Sequence, residues 1–205
     1  KKLLKEILDE AASDENAAEG RNKKKIGDFY ASGMDTSAIE SAGLTHISAD
    51  LERINAAADK DELMQLIAEF HTSYIGPMFS FFPEQDLKNN TEIVPYLYQG
   101  GLGMPSRDYY IKDDASSVEI REAYLSYIQQ LLVLSGMEDA DATEAAATIL
   151  AMETVLAENS RSRVELRDPE LNYNNLSLEE LTELAPAIDW KSYFTSIGVE
   201  NTDAI

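Results

Sequence analysis

The sequence predicts a mainly α chain, a multi-helix bundle lobe carrying one small β-hairpin. Apolar residues recur at i, i+3 and i+4 in most segments, which is the helical period. Only from about residue 78 to residue 98 does that spacing give way to short, aromatic-rich runs around turn residues. Several periodic stretches are also preceded by Asp or Ser with Glu three positions on, the usual chemistry of a helix start.

Taken in order, Leu4, Ile7, Leu8 and Ala11 form the first helical stripe, and the small acidic run from Ala12 to Gly20 reads as a loop. Ile26, Phe29, Tyr30, Gly33 and Met34 repeat the spacing. Thr36 or Ser37 is expected to cap a short helix carrying Ile39, with Gly43 ending it. Ile47, Leu51 and Ile54 mark a further helix. Asp59 with Glu62 opens another, whose apolar face is Leu63, Leu66, Ile67 and Phe70. Gly76-Pro77 breaks that helix. Met78 to Phe82 is expected as a strand ended by Pro83, Asp86 to Asn90 as a turn, and Thr91 to Tyr98 as the returning strand. Pro95 lacks a ladder donor, so the second strand should be an edge or carry a bulge. Ser116 with Glu119 is expected to cap a helix whose broad face is Tyr124, Tyr127, Ile128, Leu131 and Leu134, stopped by Gly136. Ala140 to Asn159 reads as a long helix with Ile149, Met152, Val155 and Leu156 inward. Ser177 to Glu180 caps a short helix ending near Pro186, and Trp190 with Phe194 starts the last one. No internal repeat is evident, so a solenoid is not expected. One helical lobe over residues 1–205 is expected, with the hairpin and the loop after it at about 78–110.

That loop, Gln99-Gly-Gly-Leu-Gly-Met-Pro-Ser-Arg-Asp-Tyr-Tyr110, is the most informative stretch. Its glycines permit φ > 0 and Pro105 fixes its own φ, so one defined path is favoured over flexibility. It is not a nucleotide cradle: neither G-x-G-x-x-G opening a helix nor G-x-x-x-x-G-K-[ST] is present.

Gly101-Leu-Gly-Met-Pro-Ser-Arg-Asp-Tyr-Tyr110 resembles a signature of the neprilysin and endothelin-converting-enzyme family of zinc metallopeptidases. Colinear with it, Asp28-Phe-Tyr-Ala-Ser-Gly-Met-Asp35 with Ile39-Glu40 and Gly43 is similar to another segment of that family. So are Met152-Glu153, Arg167-Asp168-Pro169 and Tyr173-Asn174. The likeness runs from about Lys25 to Trp190. Gly33 stands where animal members usually carry cysteine, which suits a prokaryotic relative. The resemblance implies a two-lobed peptidase with zinc in the full-length parent, acting on short peptides, whose catalytic lobe belongs to the same polypeptide. The family's H-E-x-x-H, its further Glu ligand and its Asn-Ala-Tyr segment do not occur here. Zinc and catalytic residues are therefore expected to lie outside this chain, which should be inactive alone. The alternative is a free-standing acidic helical binding module without peptidase activity.

Composition narrows the partners. Seventeen Lys and Arg against 38 Asp and Glu give a net charge of −21, which repels phosphate backbones and argues against nucleic acid. The acidity suits solvated helix faces, or a surface that attracts cationic peptides. A hydrophobic fraction of 44% can supply a core, and no cysteine is present for disulfides or thiolate-bound zinc. No apolar run approaches the ~20 residues that span a bilayer. The charged start at Lys1 is unlike a signal peptide, and both ends are expected to lie inside a longer protein. Cytoplasmic, periplasmic and secreted locations all fit.

Among candidate site residues, His46 and His71 lack the i, i+4 spacing and intervening Glu of a helical zinc site, so neither is expected to bind metal. His71 reads as a surface or core-edge residue. Asp139 and Asp141 suit a helix N-terminus better than a calcium loop. Glu69, Glu153 and Glu158 carry no signal among 38 carboxylates. Arg107, Asp108, Tyr109 and Tyr110 either line a substrate wall or lock the loop. The rigid Gly/Pro frame favours the lock, with Arg107 on a nearby carboxylate. Arg161, Arg163 and Arg167 are expected to tie the end of the long helix to acidic neighbours.

Overall fold

Eleven α-helices, one 3-10 turn and a two-stranded antiparallel sheet form the regular structure of residues 1–199, the part of the chain described by the computed structural model. The chain groups into two compact units, Lys1–Glu52 and the part from Arg53 onward.

The first unit holds α1 (Lys2–Ser13), α2 (Asn22–Met34), α3 (Thr36–Ala42) and the start of α4 (Ser48–Ala56). Ala11 and Gly27 are buried where α1 meets α2. A methyl group at Gly27 would overlap the Ala11 carbonyl, so the bare backbone there sets how closely the two helices approach. Lys23 reaches both Glu10 (2.9 Å) and Asp14 (2.8 Å) across the pair. Such exposed ion pairs contribute little stability. Asp35, rather than Thr36 or Ser37, caps α3: its carboxylate accepts the Ala38 amide at 3.0 Å. The cap must stand outside the helix, and Thr36 is already within it. Gly43, at φ 49°, ends α3 as its spacing predicts.

The second unit continues with α5 (Lys60–Thr72), β1 (Phe79–Gln85), β2 (Ile93–Gln99), α6 (Asp108–Ile111), α7 (Ala115–Leu134) and α8 (Asp139–Glu158). The 3-10 turn Glu165–Arg167, α9 (Pro169–Asn172), α10 (Leu178–Leu184) and α11 (Trp190–Ser196) follow. Asp59 caps α5 by accepting the Asp61 and Glu62 amides, while Glu62 returns to the Ala58 amide at 2.9 Å. A reciprocal Ser177–Glu180 box starts α10, and Asp189 caps α11.

One core is built where α5, α10 and α11 meet the hairpin. Ala68, Leu181, Trp190, Tyr193 and Phe194 are buried, with Phe79, Phe81 and Leu97 packed on them. The Trp190 and Phe194 rings stack at 6.1 Å, as their i, i+4 spacing requires. Alternation in the strands does the rest: Phe79, Phe81 and Leu97 face the core, while Phe82 and Tyr96 stack at 5.6 Å on the other face.

The first strand does not stop at Pro83. It continues to Gln85, and Pro83 pairs directly with Pro95. Neither residue has an N–H to give, so placing both at one non-hydrogen-bonded pair costs the ladder no donor.

A second core lies between α6, α7 and α8, around Met104, Tyr110 and Ala157. Helix α7 starts two residues earlier than a cap at Ser116 would place it. Asp114 is its cap, accepting the Ser117 amide at 3.1 Å, because an Asp oxygen followed by small residues outcompetes a Ser inside the turn. The inward face of α8 also differs from expectation. Ala142, Ala146 and Ala157 are buried, whereas Met152 is 65% and Val155 58% exposed. Small residues let α7 and α8 approach; Ile149 and Leu156 stay half-buried, and Met152 and Val155 turn outward.

Phe194→Ala should lower unfolding free energy by about 3–5 kcal/mol, the usual cost of emptying a fully buried aromatic site. Phe29→Ala, at a position 83% exposed, should change it by less than about 0.5 kcal/mol. Urea denaturation of both variants checks the contrast.

Candidate functional site

Residues Gly100–Tyr110 leave the end of β2 and turn into α6, and four anchors fix their path. First, the Gln99 side chain clamps the main chain after α8: its amide donates to the Arg161 carbonyl (3.2 Å) and its carbonyl accepts the Arg161 amide (2.8 Å). Second, Arg107 donates to the carbonyls of Ala157 (3.0 Å) and Glu158 (3.4 Å). These carbonyls belong to the C-terminal turn of α8, where the i+4 amides of the helix run out and partial negative charge gathers; that of Ala157 also accepts the Ser160 amide at 3.2 Å. The expected carboxylate partner is thus replaced by a helix end. Third, Arg163 reaches the Pro105 carbonyl at 3.2 Å, and Arg121 reaches those of Tyr109 (2.8 Å) and Lys112 (2.6 Å).

The fourth anchor is buried. The Tyr110 hydroxyl accepts the Met104 amide at 2.9 Å and donates to Glu153 at 2.6 Å. The Tyr124 hydroxyl donates to the other Glu153 oxygen at 3.0 Å. One carboxylate on α8 therefore joins the loop, α6 and α7. Burial, then the hydrogen bond to Glu153, pushes the Tyr124 hydroxyl up to about 12 and raises that of Tyr110 for the same reasons. The remaining candidate, Asp108, pairs with Lys112 at 2.6 Å; that bond chiefly holds its carboxyl below the usual range.

Two glycines are required by this packing. Gly101 has φ 74°, and a Cβ there would lie 2.7 Å from the Met78 backbone. At Gly103 a Cβ would fall on the Tyr124 hydroxyl. Beside the loop runs a largely apolar groove of about 500 Å³, walled by Ile75, Met78, Leu102, Ile149, Met152 and Leu156, with Glu153 its one carboxylate.

The sequence model for the N-terminal part of peptidase family M13 matches residues 1–205. The chain belongs to peptidase family M13. It is similar to endothelin-converting enzyme 1 of Mus musculus, 32% identical over 205 residues that cover 95% of this chain and 26% of that protein. An endothelin-converting enzyme homolog of Locusta migratoria is 26% identical, covering 97% and 28%. The chain thus spans about a quarter of the length of these relatives. Among solved structures, zinc metalloprotease Zmp1 of Mycobacterium tuberculosis in its open state superposes with a TM-score of 0.78 at 28% identity, covering 100% of this chain and 32% of that one. The same protein with an inhibitor gives 0.76 at 29%, covering 96% and 30%.

In this M13 chain the two histidines lie in different settings. His46 is exposed in the turn before α4. His71 is 7% exposed and fully engaged, not at a surface: Nδ1 lies 2.7 Å from the Tyr193 hydroxyl and Nε2 2.9 Å from the Phe79 carbonyl. Among the described residues no group of three or more His, Cys, Asp or Glu could hold a metal ion. Arg161 serves the loop region through Leu171 and Asn172 rather than through acidic neighbours. Glu153, Tyr124 and Arg121 are the residues that sequence reasoning passed over. Only the Met152-Glu153 likeness pointed at one of them.

Glu153→Gln leaves one phenol facing an amide N–H₂, and should cost about 1.5–3 kcal/mol in urea unfolding, as loss of a charge-assisted bond does. Raised phenol pKa values also set an alkaline limit. Below about pH 10 both folded and unfolded chains keep these protons, so the contribution is whole. Between about 10 and 12 the unfolded chain ionises first, binds fewer protons, and stability falls. Tyr124→Phe should flatten that loss in melting curves taken across the range.

Proposed function

We propose that this chain is the helical, non-catalytic lobe of a neprilysin-like zinc metalloendopeptidase, helping to enclose the chamber in which short peptides are hydrolysed. The observation that carries the reading is the match of an M13 N-terminal model over all 205 residues, by a chain spanning about a quarter of its relatives. The remainder of the polypeptide would supply zinc, its ligands and a general base. Zinc held there would supply Lewis-acid chemistry to the reaction.

In this reading residues 1–205 act as a single wall-forming lobe, and Arg107, Asp108, Tyr109 and Tyr110 hold the loop rigid instead of contacting substrate. The side chains that they engage support this, since Tyr110 is buried and Arg107 donates to the carbonyls at the end of α8. The open apolar groove beside the loop, and exposed apolar residues such as Leu3 (67%) and Phe29 (83%), are surfaces suited to cover by the catalytic lobe of the same polypeptide.

A quenched fluorogenic peptide separates this from a free-standing binding module. The full-length parent should cleave it, lose activity to a chelator and regain it with zinc. The 205-residue chain, given the same zinc, should not. Chelator-sensitive turnover by this chain alone would overturn the reading, and so would a full-length parent with no metal-dependent cleavage.

A further inference from the structure

Against the loop lies a cleft of about 430 Å³, lined by Arg107, Arg161 and Arg163 together with Ser106, Ser160 and the backbone of Gly100. Three of the chain's seven arginines gather there, in a protein with 38 carboxylates and a net charge of −21. Yet none of the three forms an ion pair with a carboxylate of the described residues. Each spends part of its fork on neutral oxygens: Arg107 on Ala157 and Glu158, Arg161 on Leu171 and Asn172, Arg163 on Pro105. A guanidinium has five donors, so these bonds orient the groups and leave donors over. Glu165 is held low mainly by Ser162 and more weakly by Arg107 and Arg161, and Asp108 feels Arg107 and Arg163 while paired with Lys112. Neither acid lines the cleft.

We propose that this cleft is an oxyanion site whose ligand is a carboxylate attached to an apolar group. The arginines supply the planar fork that carboxylates fit. The apolar part follows from the neighbour: Gly76, Gly101 and Leu102 line both this cleft and the groove of Ile149, Met152 and Leu156. A ligand seated on the arginines thus has an apolar wall beside it. The inference does not rest on the peptidase reading, since it concerns this chain's own side chains and needs neither zinc nor cleavage.

The test is NMR titration of the 205-residue chain with N-acetyl-leucine, its carboxamide and inorganic phosphate, following the Gly100 and Gly101 amides and the arginine Nε–H signals. N-acetyl-leucine should shift these signals and bind at least about tenfold more tightly than the uncharged carboxamide. Phosphate should compete for the arginines but bind more weakly than N-acetyl-leucine. Arg163→Gln should weaken N-acetyl-leucine about tenfold, and Arg163→Lys less; with one bond to a loop carbonyl, neither should shift the melting temperature much. Equal binding of acid and carboxamide, or no shift at these signals, overturns the proposal. Tighter binding of phosphate than of N-acetyl-leucine overturns the carboxylate assignment.

Discussion

The shared carboxylate of Glu153 is the constraint on which the second unit's loop depends. Its two oxygens accept from phenols on different elements, Tyr110 from α6 and Tyr124 from α7. Tyr110 in turn accepts the Met104 amide, so a loop main-chain donor, two rings and one helix form a single connected set. Low local dielectric strengthens each member and makes each costly to leave unpaired. The glycines follow from the same arrangement. Tyr124 comes so close that position 103 cannot carry a side chain, and Gly101 must adopt a left-handed conformation against Met78. A loop rich in glycine is here the rigid part, because its freedom is consumed by fit.

Much of the fold was legible because periodicity and capping are local properties. The Trp190–Phe194 pair, the Ser177–Glu180 box and the Asp59 cap depend on residues within one turn of each other, and each is found where its spacing places it. The Pro83 error shows the limit. A proline ends a strand only if its missing donor was needed, and that depends on which partner it faces. Opposite Pro95 it was not needed. The inward face of α8 was misread for a similar reason. Hydrophobicity ranks Met152 and Val155 above Ala142 and Ala146, but close helix approach selects small residues.

The site was harder to read than the fold because its decisive partners are remote in sequence and chemically common. Glu153 is one carboxylate among 38, and only the fold brings Tyr110 and Tyr124 to it from 43 and 29 positions away. Arg107 was expected to find a carboxylate, the partner that its fork geometry favours. Instead it donates to the Ala157 and Glu158 carbonyls at the end of α8. Main-chain partners leave no trace in composition. No count of charges could have assigned them.

His71 shows how completely a metal-capable residue can be taken up by architecture. Its Nε2 faces the Phe79 and Pro77 carbonyls, which can only accept, so that nitrogen carries the proton. In the neutral ring Nδ1 must then accept, and the Tyr193 hydroxyl supplies the donor. Both ring nitrogens are thereby committed. What the ring secures is the sharp corner before β1, where Tyr74 (φ 61°) and Met78 (φ 64°) hold a backbone conformation that costs about 1–3 kcal/mol each in residues other than glycine. Met78 is also the residue that Gly101 presses against. The histidine thus fixes one wall of the loop's bed while Glu153 fixes the other. Freeing its Nε2 for a metal would release the corner on which Gly101 rests.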